Sequence, residues 1–293
     1  MQRKINIVIA IKEKTKNLKK TLLSISKQTL LPFEVIICSK KKFSIQKLNF
    51  NLKIISSPFQ NQVFQRNLAI KKLKNKKNIL LQLDDRVILE KNALKNLQIK
   101  WSKSKNKYFG IGLNAHNGIN RGFFDSIYNF LNLKGKIFKV GINTGYQNIK
   151  EDIEVEWLSG GASSWKFDKK FLEKENKFLT HNSNWLVGED VIQSLRKKKS
   201  QKLLVCYDAK ATILEKSKKQ INQIDFFDRG IGNIIWKKKF SKLLNCNPLI
   251  FYLFNIPLLL TSLILNLIFF DIKKIKFSLG QLYKILLFIY FLF

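Results

Sequence analysis

Between residues 5 and about 207, short runs of Ile, Val and Leu alternate with segments whose apolar residues recur at helical spacing. The run 7–11 gives way to Leu18, Leu22 and Ile25. The runs 34–38 and 52–56, a helical stretch near 63–73, and the run 79–83 follow. Strand, helix, strand, helix predicts an α/β domain on a mostly parallel, Rossmann-type sheet flanked by helices, because parallel strands need a crossover to join them. Ligands in such sheets gather beyond the carboxyl ends of the strands. The loops after Ile11, Cys38 and Leu83 are therefore where chemistry is expected.

The C-terminal part differs in kind. Residues 248–270 form 23 positions without a charge, long enough to cross a hydrocarbon layer of ~30 Å. Asn255, Pro257, Thr261, Ser262 and Asn266 dilute that run, and a buried or interfacial helical hairpin is the competing reading. A second apolar stretch, 277–293, is interrupted by Lys284 and suits an interfacial position or a partial return. Lysines flank the first stretch on both sides, so the positive-inside rule leaves its orientation open. The expected division is a catalytic domain over 1–240 and a membrane-associated helical segment over 241–293.

The chain carries 54 Lys and Arg against 20 Asp and Glu, a formal charge of +34, yet 45% of its 293 residues are hydrophobic. Disorder and collagen are excluded by that balance and by only four prolines. Lysine carries nearly all the excess, in company with Asn, Ile and Phe, as an A+T-rich coding bias would produce. Such a surface attracts anionic lipid or nucleic acid whatever its origin. No aromatic-and-basic motif of the kind that stacks bases is present, so nucleic-acid binding rests on charge alone. Three cysteines without CxxC spacing argue against a disulfide framework and a zinc site, and point to a reducing compartment. The apolar run 4–11 is too short for a signal peptide and reads as a strand.

Three clusters can carry chemistry. Asp84 and Asp85 follow the run 79–83, where paired carboxylates can hold Mg²⁺ or Mn²⁺ against a diphosphate; a simple turn is the alternative. Gly160, Gly161 and Ala162 are bracketed by Trp157 and Trp165, which suits close backbone approach to a ligand and stacking on a sugar, or a turn with packed tryptophans. Gly188, Glu189 and Asp190 open an amphipathic helix after Trp185, where capping competes with catalysis. His116 and His181 have no ligand-like neighbours and read as surface or loop residues.

In this order the clusters resemble glycosyltransferase family 2 on the GT-A fold, over roughly two-thirds of the chain. Ser26-Lys27-Gln28-Thr29 with Pro32 is similar to the family's Gln-Thr-Pro-like turn, and Gln65-Arg66-Asn67-Leu68-Ala69 to its Ala-Arg-Asn-like element. The resemblance implies inverting transfer of a sugar from a nucleotide-diphosphate donor to a hydroxyl acceptor, in cell-surface polysaccharide or glycolipid synthesis on the cytoplasmic face of a membrane. It implies Asp190 as catalytic base, Glu189 as orienting partner, and Asp85 as metal ligand. Asp84, Arg66 and Ser39 fall on the donor side, Trp157, Gly160, Gly161 and Ala162 on the acceptor side, and Arg196 on the helix after Asp190. Two positions depart from the family. Cys38-Ser39-Lys40-Lys41-Lys42 replaces an Asp-rich base-contacting loop, and Arg86 replaces a third carboxylate, which implies weakened Mn²⁺ or Mg²⁺ binding. The alternative is an inert membrane-attached binding protein on the same fold.

Overall fold

A computed structural model describes residues 3–58, 60–116, 131, 133–146, 149–167, 188–195, 201–215 and 225–290. Contacts divide the chain into two compact units. The first comprises residues 1–136, 145–181 and 193–215, and the second 137–144, 182–192 and 216–293.

The first unit is built on one sheet. Its parallel half is β1 (Ile5–Ile11), β2 (Glu34–Ser39), β3 (Leu52–Ser56) and β4 (Ile79–Leu83), in spatial order β3-β2-β1-β4. The expected α/β class and mostly parallel sheet are observed. Beyond β4 the order continues β10 (Ala162–Lys166), β6 (Tyr108–His116), β11 (Lys202–Ile213) and β5 (Val87–Leu89). The remaining short strands are β7 (Ile137–Phe138) and β8 (Ile142–Asn143), which pair with each other in the second unit, and β9 (Ile153–Val155), which pairs with β11. β10 runs antiparallel to both β4 and β6. Strands β1, β2 and β4 are buried at every position, which is why apolar residues sit at consecutive rather than alternating positions, with Asn6, Glu34, Ser39 and Gln82 as buried polar exceptions.

Helices cover both faces. Leu18, Leu22 and Ile25 of α1 (Lys16–Ser26) pack with Leu94, Leu97 and Trp101 of α3 (Ala93–Lys103) on the face carrying Ile5, Ile7 and Ile9. On the other face Ala69 and Ile70 of α2 (Gln62–Lys71) pack with Val8, Ile36 and Leu80. The turn after α1 has a specific task. Gln28 is buried, donates to the carbonyls of Ser24 and Glu90, and accepts from the Leu94 N–H at 3.0 Å. Asn92 makes no side-chain cap to α3, so Gln28 satisfies an orphan donor of that helix from a distance.

Trp165 on β10 is fully buried, with Phe109 edge-on at 5.7 Å, and Gly110 has no room for a side chain because the Trp165 ring lies 2.7 Å from where its Cβ would be. Trp165 is thus a core residue, and only Trp157 of the bracketing pair remains for ligand contact.

The second unit contains α5 (Phe226–Leu243), α6 (Pro248–Ile268) and α7 (Ile272–Tyr290), besides the start of α4 (Glu189–Leu195). Asn247 caps α6 by accepting from the Leu249 N–H, with Pro248 at the first helical position. α6 is the one described helix long and apolar enough to cross a membrane. Gly230 and Gly280 let α5 and α7 meet backbone to backbone: a Cβ on either would come within 2.1 Å of a carbonyl oxygen of the other helix.

Trp165→Ala is expected to destabilise the protein by about 3–5 kcal/mol, the scale for truncating a large buried aromatic. Urea denaturation followed by fluorescence checks it, and a loss under 1 kcal/mol would show that the cavity collapses freely.

Candidate active site

The two adjacent carboxylates leave the carboxyl end of β4, beside the parallel ends of β1 and β2. The β4–β10 register places Ala162 opposite Leu83, and the Asp84 N–H donates to the Gly161 carbonyl at 2.9 Å. Gly161 therefore lies directly against Asp84. A Cβ on Gly161 would sit 2.4 Å from the Asp84 carboxyl carbon. The glycine segment and the Asp pair, 77 positions apart in sequence, form one surface.

Asp84 is also held from α2. Arg66 Nη2 and Gln62 Nε2 both donate to Oδ1, at 3.0 and 2.9 Å. Gln62 and Arg66 are one helical turn apart and face the same way. The Arg66 side chain is only 5% exposed against 29% for Asp84, so the pair is partly withdrawn from solvent and less screened than a surface ion pair.

Asp85 is held from the opposite side. The Thr15 hydroxyl donates to Asp85 Oδ2 at 2.9 Å while accepting from the Leu18 N–H, so one side chain caps α1 and orients the carboxylate. Thr21 donates to the Asp85 carbonyl. Burial raises the Asp85 pKa; the Thr15 bond opposes that shift and the Asp84 charge adds to it. Arg86 points its Nη1 to the Leu214 carbonyl at 2.8 Å, and the Leu214 N–H returns a bond to the Arg86 carbonyl. The residue after the Asp pair is thus tied to the strand end at Leu214 and supplies no oxygen ligand. Among the described residues no three His, Cys, Asp or Glu side chains come together as a metal cage. Asp84 and Asp85 instead fit a cation that takes one or two carboxylates and fills its remaining positions with phosphate and water.

Ser39 is fully buried and donates to the Lys12 carbonyl at 3.3 Å, supporting the loop after β1. Lys41 pairs with Glu13 of that loop at 2.9 Å. Cys38 beside Ser39 is buried, and desolvation pushes its thiol up to about 11, so it is an inert packing residue.

In the glycine segment Trp157 is half-buried and edge-on to Tyr146 at 5.1 Å. Tyr146 accepts from the Ser159 N–H and Ser194 from the Leu158 N–H, which fixes the segment on both sides of Leu158. Gly160 and Ala162 are buried.

Glu189 and Asp190 occupy the first turn of α4, in the second unit, and both are half-buried. Asp190 Oδ1 accepts from the Val191 N–H at 2.9 Å. Gly188 has φ +89°, and the position its Cβ would take lies 1.6 Å from Trp236 Nε1. Glycine is required there twice over, by backbone conformation and by the indole. Trp185, His181 and Arg196 lie outside the described residues. His116 ends β6, where it pairs in register with Thr212.

Thr15, Gln62, Tyr146 and Trp236 were not evident from sequence. Gln62 lies one residue ahead of the helical stretch read near 63–73, and its spacing of four from Arg66 is the one signal that could have found it.

Two solved structures share this architecture. The chain matches the crystal structure of GalNAc-T7 with UDP, GalNAc and Mn²⁺ at TM-score 0.52 and 15% identity, over 74% of this chain and 45% of that one. It matches S. aureus TarS 1–349 in complex with UDP-GlcNAc at TM-score 0.50 and 14% identity, over 80% of this chain and 66% of that one. The fold is GT-A-like. The chain spans less than half of the first protein and about two-thirds of the second. No protein-family model matches the sequence, and none of the curated proteins does. The first of those structures holds UDP, GalNAc and Mn²⁺, and the second UDP-GlcNAc.

Gly161→Ala is expected to displace the Asp84 carboxylate and cost about 1–3 kcal/mol as an overpacking substitution. Gly145→Ala, whose Cβ would meet nothing within 4 Å, is the control. Thermal melts of both check it; equal melting points would mean that Asp84 is not held against Gly161.

Proposed function

We propose that the protein is an inverting glycosyltransferase of the family 2 type, moving a sugar from a nucleotide-diphosphate donor to a hydroxyl acceptor. The observation that carries this reading is the placement of Asp84 and Asp85 at the end of β4 in a GT-A-like sheet, with Gly161 closed against Asp84. Residues 1–240 serve as the catalytic domain and 241–293 as its attachment to the cytoplasmic face of a membrane, in polysaccharide or glycolipid synthesis.

On this reading Asp190 accepts the proton of the attacking hydroxyl and Glu189 orients the acceptor. Asp84, held by Arg66, and Ser39, through the loop it supports, shape the donor side. Trp157 offers an apolar face to a sugar ring, while Gly160, Gly161 and Ala162 allow close backbone approach. A Mn²⁺ or Mg²⁺ held by Asp85, with help from Asp84, would supply positive charge for the departing diphosphate. Arg86 and Arg66 contribute fixed positive charge to the same region. Arg86 and the lysine-rich loop at Lys40 also favour the second reading, an inert membrane-attached binding protein that keeps the fold without full metal affinity.

Asp190→Asn separates the two. Asn caps about as well as Asp, so the melting temperature should barely move, whereas transfer from a UDP-sugar panel should fall by roughly 10²-fold with loss of general-base assistance. An unchanged transfer rate would reduce Asp190 to a cap. Absence of transfer by the unaltered protein from every donor would favour the inert binder.

Arg86→Asp is expected to lower the Mn²⁺ concentration giving half-maximal activity, by restoring an oxygen ligand in place of a cation. A titration of both forms checks it. Full activity of Asp85→Ala in chelator would remove Asp85 from the metal role.

A further inference from the structure

The inward side of α6 packs Phe251, Tyr252 and Leu259 with Ile234 and Ile285. The same side carries amides: Asn255 donates to the Val140 carbonyl and back to Phe251 of its own helix, and Asn266 donates to the hydroxyls of Ser262 on α6 and Ser278 on α7. The outward face of α6 is mainly apolar, with Leu249, Leu253, Phe254, Ile264 and Ile268 exposed and Phe270 87% exposed at the following turn. An apolar face of this extent, rimmed by the exposed lysines Lys242, Lys273, Lys274 and Lys276, matches hydrocarbon below and anionic head groups at its edge.

The neighbours of α6 decide how that face meets a membrane. α7 runs parallel to α5, with Lys273 over the Phe226 ring at one end, Gln281 donating to Asn233 in the middle, and Lys238 over the Phe288 ring at the other. α6 runs antiparallel to both, since Lys237 reaches Asn255 and Ser262 meets Ser278. The three helices are of similar length, so whatever depth the middle of α6 reaches, the middle of α5 reaches too. Arg229 and Lys237 on α5 are eight residues apart, about 12 Å along the axis. A hydrocarbon layer of ~30 Å has no placement across α5 that excludes both, and Asp228, Lys238 and Lys239 add to the cost.

We propose that α5, α6 and α7 form a monotopic wedge lying in one leaflet of an anionic bilayer. The helices run along the membrane plane, the outward face of α6 sinks about 5–10 Å into the head-group boundary, and the rim lysines bind anionic phosphates. This refines the membrane part of the function proposed above and is independent of the sugar chemistry.

The test adds full-length protein to the outside of preformed phosphatidylcholine vesicles with and without phosphatidylglycerol. Each protein carries a single new cysteine, Lys242→Cys or Lys274→Cys, in a Cys246→Ser background. Both positions are expected to react with an impermeant maleimide from outside, and binding to fall at least tenfold without phosphatidylglycerol. Protection of one position until detergent is added would overturn the in-plane arrangement while leaving attachment standing. Failure to float with either vesicle would overturn both. Leu253→Glu on the outward face should abolish flotation without lowering the melting temperature of the lipid-free protein, and retained flotation would count against this face as the contact.

Discussion

The hydrogen bond from the Asp84 N–H to the Gly161 carbonyl joins two stretches of chain that share no sequence proximity. It extends the β4–β10 ladder by one step past the sheet and so brings a carboxylate onto a glycine. From that contact the rest of the site is arranged. Gln62 and Arg66 hold the same carboxylate from α2, Thr15 holds Asp85 from the N-cap of α1, and the segment Trp157–Ala162 lies against Asp84 through Gly161. Strands beneath and short side-chain contacts above give the pair a defined geometry.

The parallel half of the sheet was legible in the sequence because its strands are dominated by Ile, Val and Leu at consecutive positions, with few polar interruptions such as Asn6 and Gln82. Strands 52–56 and 79–83 were placed with the observed boundaries. The antiparallel half was not. β10 inserts between β4 and β6, strands from distant parts of the chain, and its residues Ala162-Ser163-Ser164-Trp165-Lys166 are small and polar for a strand with no exposed edge. Their hydroxyls are satisfied locally, Ser164 donating to the Ile111 carbonyl and accepting from Trp101, Ser163 accepting from Trp165. No hydrophobic periodicity records such a strand, and for that reason Trp165 read equally well as a ligand contact and as core. The fates of Asp84 and Asp85 were likewise hidden, since adjacent residues of the same type point to partners 18 and 70 positions away.

The C-terminal helices combine two patterns. On α6, Asn255 and Asn266 face in beside Phe251, Tyr252 and Leu259 and bond across the seam, while the outward face is mainly apolar rather than polar. Three of the diluting residues, Asn255, Ser262 and Asn266, therefore help to fix its packing, and most of its leucines are left to the surroundings. A length-and-composition reading registers only the second half of that statement.

Glycine codons begin with two guanines, so a gene drifting toward A and T loses them unless the protein has no alternative. In this chain Gly110, Gly161, Gly188, Gly230 and Gly280 all stand where a single added carbon would overlap a neighbouring ring, carboxylate or carbonyl. Lysine, whose codons are A-rich, lies mostly on exposed loops and helix surfaces. Whatever bias shapes the rest of the composition, these five glycine positions admit no further carbon: two bring helix backbones together and three seat a neighbouring side chain against the main chain.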